Sequence, residues 1–156
     1  MKNKKDIYSS KDTKPSQTNE PAVAYNNHVL HVLNGLSYAD INNIHLSGEA
    51  LTDIQEQTLL NAQALASVVG VGKSKFYDLV KTDDLGAKNI DALADFAALW
   101  QKGLDAFDGN TELLNEWLET RNLNLGGTKP IELLSSRMGR RELEKAFLRI
   151  EYSTYG

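Results

Sequence analysis

Cysteine is absent from this 156-residue sequence. Its absence excludes disulfides, thiol nucleophiles and cysteine-ligated zinc, and it suits a reducing compartment. No apolar run approaches the length that spans a bilayer, and the basic start Met1-Lys-Asn-Lys-Lys5 is followed by polar residues instead of a secretory apolar stretch. A cytoplasmic chain without membrane contact is expected. Catalytic signatures are missing as well. There is no Gly-x-Ser-x-Gly elbow and no histidine set among carboxylates at a site-like spacing. The chain is therefore expected not to be an enzyme and to need no cofactor or metal.

What is present is enough apolar content, 41%, to bury one core, or two small ones sharing a central helix. The net charge of −4 argues against nonspecific polyanion binding by the whole molecule, but the charge is unevenly spread. Residues 1–27 carry +2, residues 28–101 carry −5 and residues 102–156 carry −1. Any contact with nucleic acid has to come from a local patch.

Residues 1–27 are rich in Lys, Ser, Thr, Asn and Pro and poor in large apolar groups, so they read as a disordered tail. From there Val29, Val32, Leu33 and Leu36 recur at helical spacing and mark a short helix. His28 and His31 lie on it one turn apart, and His45 could join them on a metal. No carboxylate stands at ligand spacing beside them, so surface or helix-end histidines are the simpler account. Thr52-Asp-Ile-Gln55 has the form of a capping box and predicts a helix start.

Asn61 predicts the cap of a helix Ala62 to Val69, with Gly70 closing it in the left-handed region. After Val71-Gly72 a second helix runs from Lys73 to about Lys81, buried through Phe76, Leu79 and Val80. A helix, a glycine-containing turn and a second helix form the helix-turn-helix signature, in which the start of the second helix meets DNA. Here that start offers Lys73, Ser74 and Lys75, with Tyr77 and Lys81 further on. Residues 71–82 hold three Lys against Asp78 alone. The rival reading is a phosphate-binding loop, because Ser67-Val-Val-Gly-Val-Gly-Lys-Ser74 departs from that pattern only at its first glycine. Such a loop follows a buried strand, whereas the residues before this one have helical spacing.

Asp83-Asp84-Leu85-Gly86 is a break whose acids suit the start of the next helix. That helix should be the longest, with Leu93, Phe96, Ala97, Trp100, Leu104 and Phe107 along one face, and Trp100 belongs to the core. Asn110 can cap a helix carrying Leu113, Leu114, Trp117 and Leu118 on one face, which stops near Asn122. Gly126-Gly127 then makes a tight turn. Thr128 is placed to cap a short helix with Pro130 in its first turn. Ser136 can cap the last helix, Arg137 to about Tyr152, buried through Leu143, Ala146, Phe147 and Ile150. Arg140, Arg141, Lys145 and Arg149 fall on its exposed side.

The sequence from Trp117-Leu118 through Leu125-Gly126-Gly127 and Pro130 to Leu133-Leu134, closing on Arg149-Ile-Glu-Tyr152, resembles the toxin-binding domain of Xre/MbcA/ParS-type antitoxins. The resemblance covers the last third well and extends, less sharply, back to about Asn61. It implies an all-α fold: an Xre-like helix-turn-helix bundle over residues 28–107, joined through the long central helix to a small helical toxin-binding module over residues 108–156. It also implies an antitoxin that binds a RES-type, NAD-consuming toxin, inserts its C-terminal end into the toxin's active-site cleft, and binds operator DNA as a homodimer that can assemble further with toxin. Carried onto this sequence, the toxin-binding residues are Arg149, Glu151, Tyr152, Ser153, Thr154, Tyr155 and Gly156. The lysine-bearing helix lacks the arginines common in Xre-type domains. A stand-alone helix-turn-helix regulator is the alternative reading.

Overall fold

Spacing of apolar residues every three to four positions dictates helices from end to end, and helices are what form. The computed structural model describes residues 28–155; the segment read above as a disordered tail, 1–27, and Gly156 lie outside the described residues. The helices are α1 (His28–Asn34), α2 (Tyr38–Ile41), α3 (Glu49–Thr58), α4 (Ala62–Val69), α5 (Lys73–Val80), α6 (Ala87–Ala106), α7 (Thr111–Leu118) and α8 (Arg137–Tyr155). Two 3₁₀ segments, Leu123–Leu125 and Pro130–Ser135, join α7 to α8. Apart from one isolated antiparallel bridge between Asn122 and Thr128, the described residues contain no strand. The all-α expectation holds.

The 20-residue α6 is the longest element and the centre of the fold. It packs against α1 and α4 on one side and α8 on another, and Ile90, Leu93, Phe96, Ala97, Leu99 and Trp100 are all buried along it. One contiguous apolar cluster runs from Val29 and Leu33 through Phe96 to Leu143 and Phe147. At the far end of α6, Phe107, Trp117 and Phe147 form a chain of tilted rings with centroids 5.8 and 5.4 Å apart. Those rings tie α6, α7 and α8 together.

Several helix ends form as the sequence dictates. Asn61 accepts a hydrogen bond from the Ala64 N–H at 2.8 Å, Asn110 from Leu113 at 2.9 Å, and the Ser136 hydroxyl from Gly139 at 2.9 Å. Other ends differ. Helix α3 begins at Glu49, so Thr52 lies inside it and caps nothing. The start is set from a distance: the Gly48 N–H donates to the Thr82 carbonyl at 2.9 Å, and a Cβ on Gly48 would collide with the Leu79 carbonyl oxygen. No acid occupies the first turn of α6. Asp84 instead accepts from the Gly86 N–H at 3.0 Å, in the loop before it. Helix α7 stops at Leu118 and not near Asn122, and Leu113 is 45% exposed instead of buried.

Two contacts on α8 were invisible at short range. Arg140 is not a surface cation: its Nε meets Asp95 on α6 at 2.8 Å and its Nη1 donates to the Leu134 carbonyl at 2.7 Å. Gly139 lies directly on Leu133, where a Cβ would strike the carbonyl oxygen. Helix propensity alone favours alanine over glycine by about 1 kcal/mol. The collision outweighs it, so Gly139→Ala is expected to destabilise the chain by about 1–3 kcal/mol. Urea titration should show a lower midpoint with an unchanged slope.

Candidate functional site

Two exposed regions carry the residues singled out by sequence. The first is the pair α4–α5. Gly70, at φ 76°, ends α4, and the Val71 N–H returns to the Ala66 carbonyl at 3.0 Å. Gly72 then starts α5 in extended backbone. Helix precedes this loop and helix follows it, so the strand-to-helix setting of a phosphate-binding loop is not built here. Phe76 is fully buried beneath α5, while Lys73, Ser74, Lys75, Tyr77 and Lys81 are exposed. Tyr77 stands edge-on to Phe76 with centroids 5.8 Å apart. The far end of α5 is held by Gly48 against the Leu79 and Val80 carbonyls. A lysine-bearing helix start is thus presented outward on an anchored helix, with Asp78 among its exposed side chains.

The second region is the corner between α7 and α8 together with the end of α8. The corner closes on itself: the Asn122 N–H donates to the Thr128 carbonyl at 3.0 Å, and the Gly127 N–H donates back to the Asn122 carbonyl at 2.9 Å. Gly126 and Gly127 sit at φ 75° and 78°, where a side chain would be strained. Thr128 does not cap the following 3₁₀ segment. Its hydroxyl donates instead to the Leu125 carbonyl at 2.6 Å, and Lys129 takes the capping position without a side-chain bond. Arg121 donates to the Gly127 carbonyl at 3.0 Å. Leu118 and Pro130 are buried and Trp117 and Leu125 partly so, while Leu123 stands at the tip, 92% exposed. Helix α7, which leads into the corner, is tied to the end of α3 by Asn115, whose Nδ2 donates to the Thr58 carbonyl at 2.7 Å. Asn115 and Leu123 carried no signal in the sequence, because neither follows from helical period or capping.

Helix α8 continues to Tyr155 instead of ending near Tyr152. Among the described side chains of α8, Phe147 is the last that is buried and Ile150 the last that packs partly on the core. At 3.6 residues per turn, α8 continues about one turn and a half past Ile150. Arg149, Tyr152 and Ser153 share one exposed face by spacing, with Tyr152 70% exposed and Glu151 half-buried. The Ser153 hydroxyl donates within its own turn, to the Ile150 carbonyl at 2.9 Å. Thr154 and Tyr155 are placed as helical backbone, and Gly156 lies outside the described residues. This face of α8 exposes a phenol and a guanidinium, with the Glu151 carboxylate half-buried beside it.

Of the histidines read as conceivable metal ligands, the side chain of His28 lies outside those described. His45 contacts the Asp83 carbonyl through Nε2 at 3.0 Å and lies 3.8 Å from the Asp84 carboxylate, and no cluster of three metal-ligating side chains is found among the described residues. No helix among the described residues is long and apolar enough to cross a membrane.

No curated protein matches the chain. Residues 102–152 match the antitoxin Xre/MbcA/ParS C-terminal toxin-binding domain. The matched span takes in the aromatic chain, the glycine corner and α8 through Tyr152.

Proposed function

From the match of residues 102–152 to the toxin-binding domain of Xre/MbcA/ParS antitoxins, we propose that this chain is a type II antitoxin that silences a RES-domain, NAD-consuming toxin by placing the end of α8 in its active-site cleft. The observation that carries the reading is the continuation of α8 past Ile150 to Tyr155, with Tyr152 70% exposed on it. Glu151, Tyr152, Tyr155 and the Gly156 carboxylate would occlude the cleft and its anion-binding groups, flanked by Arg149, Ser153 and Thr154. Tyrosine suits such a role because it brings a large apolar face with a polar tip at small entropic cost. The activity is steric and electrostatic; no catalysis by this chain is involved. The setting is cytoplasmic. Co-expression with the product of the adjacent reading frame tests it: growth arrest by that product should be relieved by the full chain, and failure to relieve it would reject the reading.

The exposed start of α5 supports a second activity, binding of the chain's own operator through a helix-turn-helix, as a homodimer on paired half-sites and as a repressor. Lys73, Lys75 and Lys81 make no ion pair among the described residues, which leaves them free for phosphate, with Ser74 and Tyr77 beside them. Reversing charge with Lys73→Glu and Lys75→Glu touches no buried group. It should weaken operator binding and lower the log–log salt slope by about 0.9 for each phosphate contact removed. Fluorescence anisotropy across a salt series reads this directly. If the chain is a stand-alone regulator, the same variant loses DNA but no toxin partner is found.

A further inference from the structure

The solvent-facing side of α8 carries a row of cations spaced four residues apart, Arg137, Arg141, Lys145 and Arg149, all of them exposed. At about 100° of turn per residue, the four fall within roughly 120° of one another around the helix, and Met138 and Tyr152, both largely exposed, lie in the same sector. Between Arg137 and Tyr152 that sector contains no acid: Glu142, Glu144 and Glu151 fall beyond its edges and are half-buried. From Arg137 to Arg149 the row is about 18 Å long.

Neither pairing nor helix formation accounts for this row. Lys145 reaches Glu142 at 3.3 Å, an exposed pair of little strength, while Arg137, Arg141 and Arg149 make no ion pair among the described residues. Arg140, one position off the row, shows the contrast, because its charge is taken up by Asp95 and the Leu134 carbonyl. Arg137 opens α8 and Arg141 follows one turn on, at the helix end whose partial positive charge disfavours cations, and no acid in the first turn offsets them. Like charges four residues apart also repel. A chain of net charge −4 thus gathers four cations on one face against the preference of the helix itself. Arginine forks match carboxylates, so the row fits an acidic surface. Met138 and Tyr152 add apolar contacts that a protein surface satisfies and a phosphate backbone does not. The family match over residues 102–152 contains the whole row and ends on Tyr152 of the same face. We propose, resting on the antitoxin reading above, that this face of α8 docks on an acidic face of the toxin, so that the interface runs along the helix as well as over its end. Arg137, Arg141 and Lys145 steer the encounter, and the end of α8 holds the complex once it has formed.

The test measures association and dissociation of the full chain on the immobilised product of the adjacent reading frame. It is run at about 10 mM salt, where charges are felt over about 30 Å, and at about 1 M, where the range falls to about 3 Å. Arg137→Gln, Arg141→Gln and Lys145→Gln together should slow association about tenfold at the lower salt and change dissociation by less than about threefold. At the higher salt the difference should vanish. Arg137→Lys with Arg141→Lys keeps the charge and should associate as the unsubstituted chain does. Neither variant should melt at a lower temperature, because these side chains are exposed and stand at an unfavourable helix end. Unchanged association of the glutamine variant, beside binding by the unsubstituted chain, would overturn the proposal and leave the antitoxin reading intact; no binding by the unsubstituted chain would overturn both. An equal loss in the lysine variant, or a loss that persists at the higher salt, would also overturn it. So would a glutamine variant that associates normally with the toxin but loses affinity for a random-sequence DNA duplex, which would assign the row to nucleic acid.

Discussion

Removing Ser153 to Gly156 is expected to abolish neutralisation of the toxin while leaving the fold intact. Ser153 is exposed and its hydroxyl donates within its own helical turn, so its loss falls in the range of ordinary surface changes, within about 0.5 kcal/mol of stability. Binding should suffer far more. Interfaces concentrate their energy in a few aromatic and charged anchors worth about 2 kcal/mol or more each. Loss of the end of α8 therefore predicts a Kd raised by about 30-fold at the least. Tyr152→Ala alone, at a side chain 70% exposed, should reproduce part of this with an unchanged melting temperature. Isothermal titration with purified toxin, beside far-UV circular dichroism of each variant, separates binding from folding. Unchanged neutralisation by the truncated chain would reject occlusion by the C-terminal end.

Phe147→Ala is expected to produce the largest loss of stability. Phe147 is only 3% exposed, stacks on Trp117 at 5.4 Å and lies in the apolar cluster shared by the whole fold. Its ring also fills the space that Gly103 leaves open: a Cβ there would come within 3.1 Å of both Leu114 and Phe147. Truncating a ring so enclosed typically costs about 3–5 kcal/mol, because the cavity left behind collapses only partly. For a domain of this size that corresponds to a fall in melting temperature of about 10–15 °C. Differential scanning calorimetry measures it. The consequence for function differs from that of truncation: the end of α8 keeps its chemistry but loses the support that aims it. Phe147→Leu, which leaves much less empty space, should recover most of both stability and neutralisation.

The sequence made the local elements legible because their causes are local. Asn61, Asn110 and Ser136 cap the helices they precede, and Gly70 and the Gly126-Gly127 pair take the left-handed backbone that turns demand. The resemblance around Trp117-Leu118 and Leu125-Gly-Gly likewise pointed to the domain that the family comparison finds over residues 102–152. What escaped depends on residues remote in the chain. Thr52 has the right spacing for a cap, yet α3 starts earlier because Gly48 is drawn onto the end of α5. Thr128 spends its hydroxyl on Leu125 within the corner. Arg140 reads as surface charge but reaches Asp95, which is 45 positions away. Gly103 and Gly139 look like weak points in helices and are contact points. The extension of α8 to Tyr155 was missed because nothing in the sequence after Tyr152 marks a stop or a continuation.

The account rests on this chain holding a toxin through its last helix, and co-purification tests that most directly. The full chain and the product of the adjacent reading frame, mixed and passed over a sizing column with light-scattering detection, should elute as one species whose mass exceeds that of either component. The chain lacking Ser153 to Gly156 should elute apart from that product. Two separate peaks for the full chain would contradict the account.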